Sequence, residues 1–314
     1  MAYVQFLIVC LIWSSSFILM KKAYVVFNPV AIGGLRAALG AATLVLLWHL
    51  VRRGAARRWP ASRAQWVAML VPGGLGFAYP YMMQPYLIGH HQDSAYFGMM
   101  VALVPLITIA VSVPMLGVWP RLRELTGVLV GLACLGVLAH EGGARGVPWH
   151  HVALAATVPL AYALSNTFIR QRLDALPPMA LSGSALAIAA TFMLPASLAV
   201  EPIKAAEPID LLSAAAAVLV LGVIGSGLAM YLFYKLIQSH GPLFAGMVTY
   251  LVPLGALAWG WLDAERVTAG QLGAMAGILV SVALVQWPRR AAPAAAAPVT
   301  AGTAPVPVPG APQR

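Results

Sequence analysis

Stretches of about twenty mainly apolar residues follow one another through this chain, and that spacing limits the fold more than anything else in the sequence. A helix needs about 20 such residues to cross the hydrocarbon core of a bilayer. Measured against that length, spans fall near 3–20, 29–51, 66–88, 94–117, 124–141, 150–170, 179–200, 212–236, 242–262 and 268–287. Pro105 and Pro114 interrupt the fourth, which a membrane helix tolerates where neighbours re-satisfy the freed carbonyls. The first span lacks a basic leading region and ends in Met20-Lys21-Lys22 without a small-residue cleavage site, so it reads as a helix and not as a signal peptide.

Composition agrees with lipid as the solvent. The 314 residues are 61% hydrophobic and 9% charged, against about 25% charged in soluble domains. The net charge of +10 does not imply nucleic acid, because the basic residues lie scattered between the apolar spans and form no single face. Cys10 and Cys134 sit inside apolar stretches without a CxxC spacing and read as packing residues.

The loop cations set an orientation. With the N-terminus inside, thirteen lysines and arginines fall on the cytoplasmic side and five (Lys21, Lys22, Arg145, Lys204 and Arg266) on the outer side, Arg36 within a span being left out. Both termini are therefore expected to be cytoplasmic. Residues 291–314 are rich in Ala and Pro, cannot bury a core, and are expected to form a disordered cytoplasmic tail.

The sequence also repeats itself. Trp13 is followed by Lys21 and Pro29, and Tyr162 by Arg170 and Pro178, with the same spacings at an offset of 149. Gly98-Met99 and Val104-Pro105 recur as Gly246-Met247 and Val252-Pro253 at an offset of 148; Gly127 and Gly131 recur as Gly273 and Gly277 at an offset of 146. The repeat unit holds five helices, 3–141 and 150–287. An odd number turns the second copy upside down in the membrane. Inverted repeats place a substrate site near the midplane between the halves, and rocking one against the other gives alternating access.

The residues that carry this repeat resemble a known family. Ile12-Trp13-Ser14-Ser15-Ser16-Phe17 with Lys21, Pro29 and Arg36 is similar to the opening of an EamA repeat of the drug/metabolite transporter superfamily. Leu251-Val252-Pro253, Asp263-Ala264-Glu265-Arg266-Val267-Thr268 and the Gly273/Gly277 pair resemble the family's later helices and its "G-E-R" turn. Two positions depart from the pattern. Leu116-Gly117-Val118-Trp119-Pro120 has no glutamate after the fourth helix, and Ala264 stands where a glycine usually precedes the glutamate. The resemblance covers about residues 3–287. It implies an all-α integral membrane protein of ten transmembrane helices, folded as two inverted five-helix repeats around a central cavity. It also implies export, or less often import, of amino acids, metabolites or toxic compounds across the inner membrane.

Candidate substrate-binding residues follow from polarity at bilayer depth. Arg36 lies seven residues into the second helix, about 10 Å from its outer end. It reads either as a cation meeting a substrate carboxylate or as a snorkelling structural arginine. Ser16 belongs to a serine run at positions equivalent to Ser165 and Asn166, where hydroxyl and amide groups can bond a polar substrate or join helices. Tyr81 and Gln84 share a face of the third helix; Ser226 and Tyr231 lie in the eighth, and Tyr250 in the ninth. Lys21 and Glu265 are expected to meet at the outer surface as a gate or brace.

No aspartate or glutamate lies mid-span, which favours facilitated diffusion or exchange over strict proton coupling. No cofactor or metal is expected, His90-His91-Gln92-Asp93 reading as a polar loop. The partners are a small-molecule substrate and the lipid bilayer, with a homodimer left open. The alternatives are a membrane-embedded enzyme, for which Gly225-Ser226-Gly227 lacks an accompanying membrane histidine, and a structural or channel protein.

Overall fold

The computed structural model describes residues 2–51, 59–117, 119–144, 146–200, 204, 206–246 and 248–286. The tail expected to be disordered and the arginines at 52–58 lie outside the described residues. The regular structure among the described residues is entirely helical. It forms ten runs: α1 Ala2–Tyr24, α2 Pro29–Val51, α3 Arg63–His91, α4 Ser94–Leu116, α5 Leu122–Ala144, α6 Trp149–Arg172, α7 Pro178–Ala199, α8 Pro208–Gly246, α9 Val248–Leu262 and α10 Ala269–Gln286. Six stretches are long and apolar enough to cross a membrane: Tyr3–Tyr24, Pro29–Leu50, Ser94–Leu116, Trp149–Arg172, Pro178–Ala199 and Pro208–Phe233. Leu125–Glu141, Val248–Leu262 and Ala269–Ala283 are shorter apolar helices.

Three runs change pitch on the way. α3 passes through a π-helical stretch, Pro72–Ala78, and α8 through another, Val220–Leu228. α4 takes a 3-10 turn over Val101–Leu103 just before Pro105, which absorbs the proline's missing N–H and its clash with the preceding turn. α8 also departs from the sequence reading, which ended the eighth span at 236 and began the ninth at 242. The helix continues to Gly246 and α9 begins at Val248; the polar Ser239-His240, which reads as a break, lies within the helix, where Ser239 Oγ donates back to Lys235 O at 2.7 Å.

Local signals fix several helix ends. Asn28 Oδ1 accepts the Ala31 N–H at 2.7 Å at the start of α2, and Asp93 Oδ1 accepts that of Tyr96 at 2.8 Å at the start of α4. Ser62 and Gln65 form a capping box at the start of α3. Gln92 (φ 53°) and Gly117 (φ 66°) close α3 and α4 in the left-handed region, and Ala264 (φ 59°) adopts it just after α9.

Large apolar side chains point outward. Leu198 is 88% exposed, Trp149 81%, Trp119 79% and Leu212 67%, while Ala, Gly and Ser fill many of the helix contacts. Such a surface would aggregate in water and is at home in lipid, with tryptophans at helix ends in the manner of an interfacial belt.

Helix contacts recur in pairs. α2 packs on α7, and α5 on α10. α2 also packs on the π-helical part of α8 as α7 does on that of α3, α1 on α9 as α6 does on α4, and α1 on α8 as α6 does on α3. The same reciprocity reaches single residues. A Cβ at Gly76 would lie 2.5 Å from Ser165 Oγ, and one at Gly225 would lie 3.4 Å from Ser16 Oγ. Gly73 abuts Ile188, and Gly222 abuts Leu39. One shift of 149 residues converts each contact of these two pairs into the other.

Candidate functional site

The polar centre of the molecule is assembled from α2, α3 and α8. Gly40 sits one turn beyond Arg36, and a Cβ there would come within 2.7 Å of Ser226 Cβ, so the bare backbone lets α2 lie directly on the π-helical stretch of α8. Arg36 is 6% exposed, and its Nε donates to Ser226 Oγ at 3.0 Å. Tyr81 OH and Ser226 Oγ are hydrogen-bonded at 2.9 Å, and the guanidinium carbon stands 4.1 Å from the centre of the Tyr81 ring. Met20 Sδ accepts from Nη1 at 3.8 Å. The charge is thus held by a hydroxyl, a ring face and a thioether. Among the described residues no carboxylate lies within 4.0 Å of it.

Of the expected substrate-site residues, the structure brings Arg36, Tyr81 and Ser226 into direct contact. Ser16 is buried beside Gly225 and donates to Ile12 O at 3.2 Å. Gln84 is buried on α3, three residues beyond Tyr81. Tyr231 and Tyr250 make no hydrogen bond to Arg36, Tyr81 or Ser226. Tyr231 lies with Lys235 Nζ at 5.5 Å from its ring, and the Tyr250 hydroxyl is buried without a hydrogen-bond partner among the described residues. Asn166 is exposed, one position round α6 from the buried Ser165. Sequence reasoning passed over Met20 and Trp13, whose Nε1 donates to Gly225 O at 3.0 Å. It also passed over Tyr162, which lies within electrostatic reach of Tyr81 and Arg36. The Trp13/Tyr162 match in the repeat was the signal that could have found two of the three.

A second polar cluster closes one end of the bundle. Lys21 Nζ meets Asp263 Oδ2 at 2.6 Å and Glu265 Oε1 at 2.9 Å. Glu265 in turn accepts from the Ser94 N–H and hydroxyl, both at 2.9 Å, and from the Ala95 N–H at 2.8 Å. These are the first donors of α4, where a carboxylate also meets the positive end of the helix dipole. The Glu265 side chain is 5% exposed and that of Lys21 16%. Lys204 joins the same end, donating to Tyr24 O at 3.1 Å with its ammonium 4.0 Å from the Tyr24 ring centre.

His91 and His151 share a hydrogen bond of 2.7 Å, with His90 and His150 nearby. Burial, and then the charges of His151, His90 and His150, hold the His91 imidazole below its ordinary range. Among the described residues no group of three or more His, Cys, Asp or Glu side chains is placed to hold a metal ion.

The described residues, all-helical in their regular structure and with a lipid-suited surface, are those of an integral membrane protein. The model of the EamA-like transporter family matches residues 1–139 and again 150–287, and the chain belongs to that family. It is 28% identical over 278 residues to the inner membrane transporter YedA of Escherichia coli (strain K12), covering 88% of this chain and 87% of that one. The YedA of Escherichia coli O157:H7 matches to the same extent. A solved crystal structure shares the fold at a TM-score of 0.60 and 20% identity, over 90% of this chain and 96% of that one.

Proposed function

We propose that this chain is a secondary transporter of the inner membrane that exports small metabolites, amino acids or related compounds among them, by alternating access. Its ten spans form two five-helix repeats of opposite orientation, with both termini cytoplasmic. The observation that carries this reading is the reciprocity of contact under a single shift: Gly76 on Ser165 against Gly225 on Ser16, and Gly73 on Ile188 against Gly222 on Leu39. Contacts that exchange partners in this way are what a two-fold axis between the copies produces. Five helices per copy make that axis lie in the membrane plane. The double match of the family model supports the same division.

In this reading Ser16, Arg36, Tyr81, Gln84 and Ser226 line the substrate path between the halves, with Asn166, Tyr231 and Tyr250 contributing from its margins. Lys21 and Glu265 act as a brace that parts when the outer side opens. Export is the direction the family resemblance implies.

Two measurements test the proposal. Single cysteines at the N-terminus and in the segment before Val152 should react with an impermeant maleimide from opposite sides of the membrane; labelling from one side removes the inversion. Purified protein in liposomes should give saturable uptake with counter-flow, and non-saturable flux or none would replace the carrier by a channel or a scaffold.

A further inference from the structure

We infer that the Arg36 site recognises a small organic monoanion through its carboxylate, an assignment that rests on the transport reading above. An arginine keeps its charge in any protein environment, so its burial must be answered by a partner. Arg36 has neutral partners at Nε, at Nη1 and over its face, and Nη2 bonds to no described residue. Among the described residues no carboxylate pairs with it: Glu265 and Asp263 hold Lys21, Glu141 accepts from Thr268, and Asp93 caps α4.

The missing countercharge therefore comes with the ligand. A guanidinium edge presents parallel N–H donors that match a carboxylate, and its single positive charge balances a single negative one. An organic cation would meet Arg36 with no compensating acid. A phosphate dianion would leave one charge unanswered.

The repeat strengthens the argument. Under the 149-residue shift Arg36 corresponds to Ala185 and Tyr81 to Met230, so the cation is not a requirement of the scaffold that both copies must satisfy. It is confined to one half, as a group that reads a ligand can be.

The test is counter-flow in liposomes holding the full chain. The probes are lactate, propionate and 3-phenylpropionate, set against lactamide, propionamide, choline and glycerol 3-phosphate. The carboxylates should exchange saturably and the amides, choline and the phosphate should not. Arg36→Lys should raise KM about tenfold with the maximal rate nearly kept, and Arg36→Gln should abolish carboxylate exchange.

Amides exchanging as well as acids, or only choline or the phosphate being carried, would overturn the anion assignment while leaving the carrier intact. An unchanged KM in Arg36→Gln would do the same. If no probe of any charge moves through folded protein, the transport reading fails and this inference with it. Should the variants not fold, thermal unfolding of the unmutated protein decides: the carboxylates must raise its midpoint and the matched amides must not, and equal effects overturn the proposal.

Discussion

At the Lys21 end of the bundle, the loop after α9 folds back so that Glu265 grips both Lys21 and the first donors of α4. The repeat-related place, at the end of α4, has no such clasp among the described residues. Gly117 turns the chain there, Trp119 is 79% exposed, and Arg170, the counterpart of Lys21, is exposed without a partner among the described residues. The two places share a left-handed turn, at Ala264 and at Gly117, but only one carries acids. Among the described residues, a common scaffold thus carries a charged clasp at one of two repeat-related places and none at the other. Under the alternating access proposed above, such a difference would bias the resting molecule toward closure at the clasped end.

The largest effect should come from breaking the latch. Glu265→Gln leaves the Lys21 ammonium short of a partner and weakens the cap on α4. It should lower stability by about 3 kcal/mol in thermal unfolding, whereas Arg170→Ala should change it by less than about 0.5 kcal/mol. Equal losses at the two ends would erase the contrast. Next comes Ser226→Ala, which removes the hydroxyl shared by Arg36 and Tyr81; we expect a loss of about 2 kcal/mol from the buried charged network.

A smaller difference should separate two matched glycines. In Gly76→Ala the new methyl meets Ser165 Oγ at 2.5 Å and should cost about 1–2 kcal/mol. In Gly225→Ala it reaches Ser16 Oγ only at 3.4 Å, an ordinary contact, and the change should stay within about 0.5 kcal/mol. Indistinguishable unfolding midpoints would show that the two copies pack alike. The mildest effect is a gain. Ala264 holds φ at 59°, a conformation that a Cβ opposes, so Ala264→Gly should raise stability by about 1 kcal/mol. A loss there would mean that the Ala264 methyl contributes contacts that outweigh the backbone strain.

Much of the helix order was legible because lipid selects on length and polarity, which are properties of composition. Pro29, Pro178 and the cations at Lys21 and Arg170 mark matching helix borders that the structure keeps. The end of the eighth span, placed at 236, was not legible, since Gln238-Ser239-His240-Gly241-Pro242 reads as a loop, whereas the helix runs on to Gly246 with Ser239 and His240 exposed on it. The π-helical stretches were also hidden. Their only mark is the glycine clusters at 73, 74 and 76 and at 222, 225 and 227, which in sequence read merely as close packing.

The polar centre was legible as a set of residue types and not as a contact list. Arg36 and Ser226 were each visible as polar groups at depth, but their meeting depends on a glycine, Gly40, that says nothing by itself about its neighbour. Ala264 shows the reverse case: its departure from the family pattern marked a backbone position that the structure places in the left-handed region.

The winding of α8 is itself part of the chemistry. Over Val220–Leu228 the backbone turns through a smaller angle per residue than an α-helix, and with that winding Ser226 faces Arg36. Tightened to ordinary pitch with every residue kept, the six steps from Val220 would carry Ser226 about 100° further round the axis, away from the guanidinium. Descendants of this protein could therefore exchange many outward-facing side chains here without harm, while a change that restored ordinary pitch at unchanged length would silence the site with all its named side chains intact.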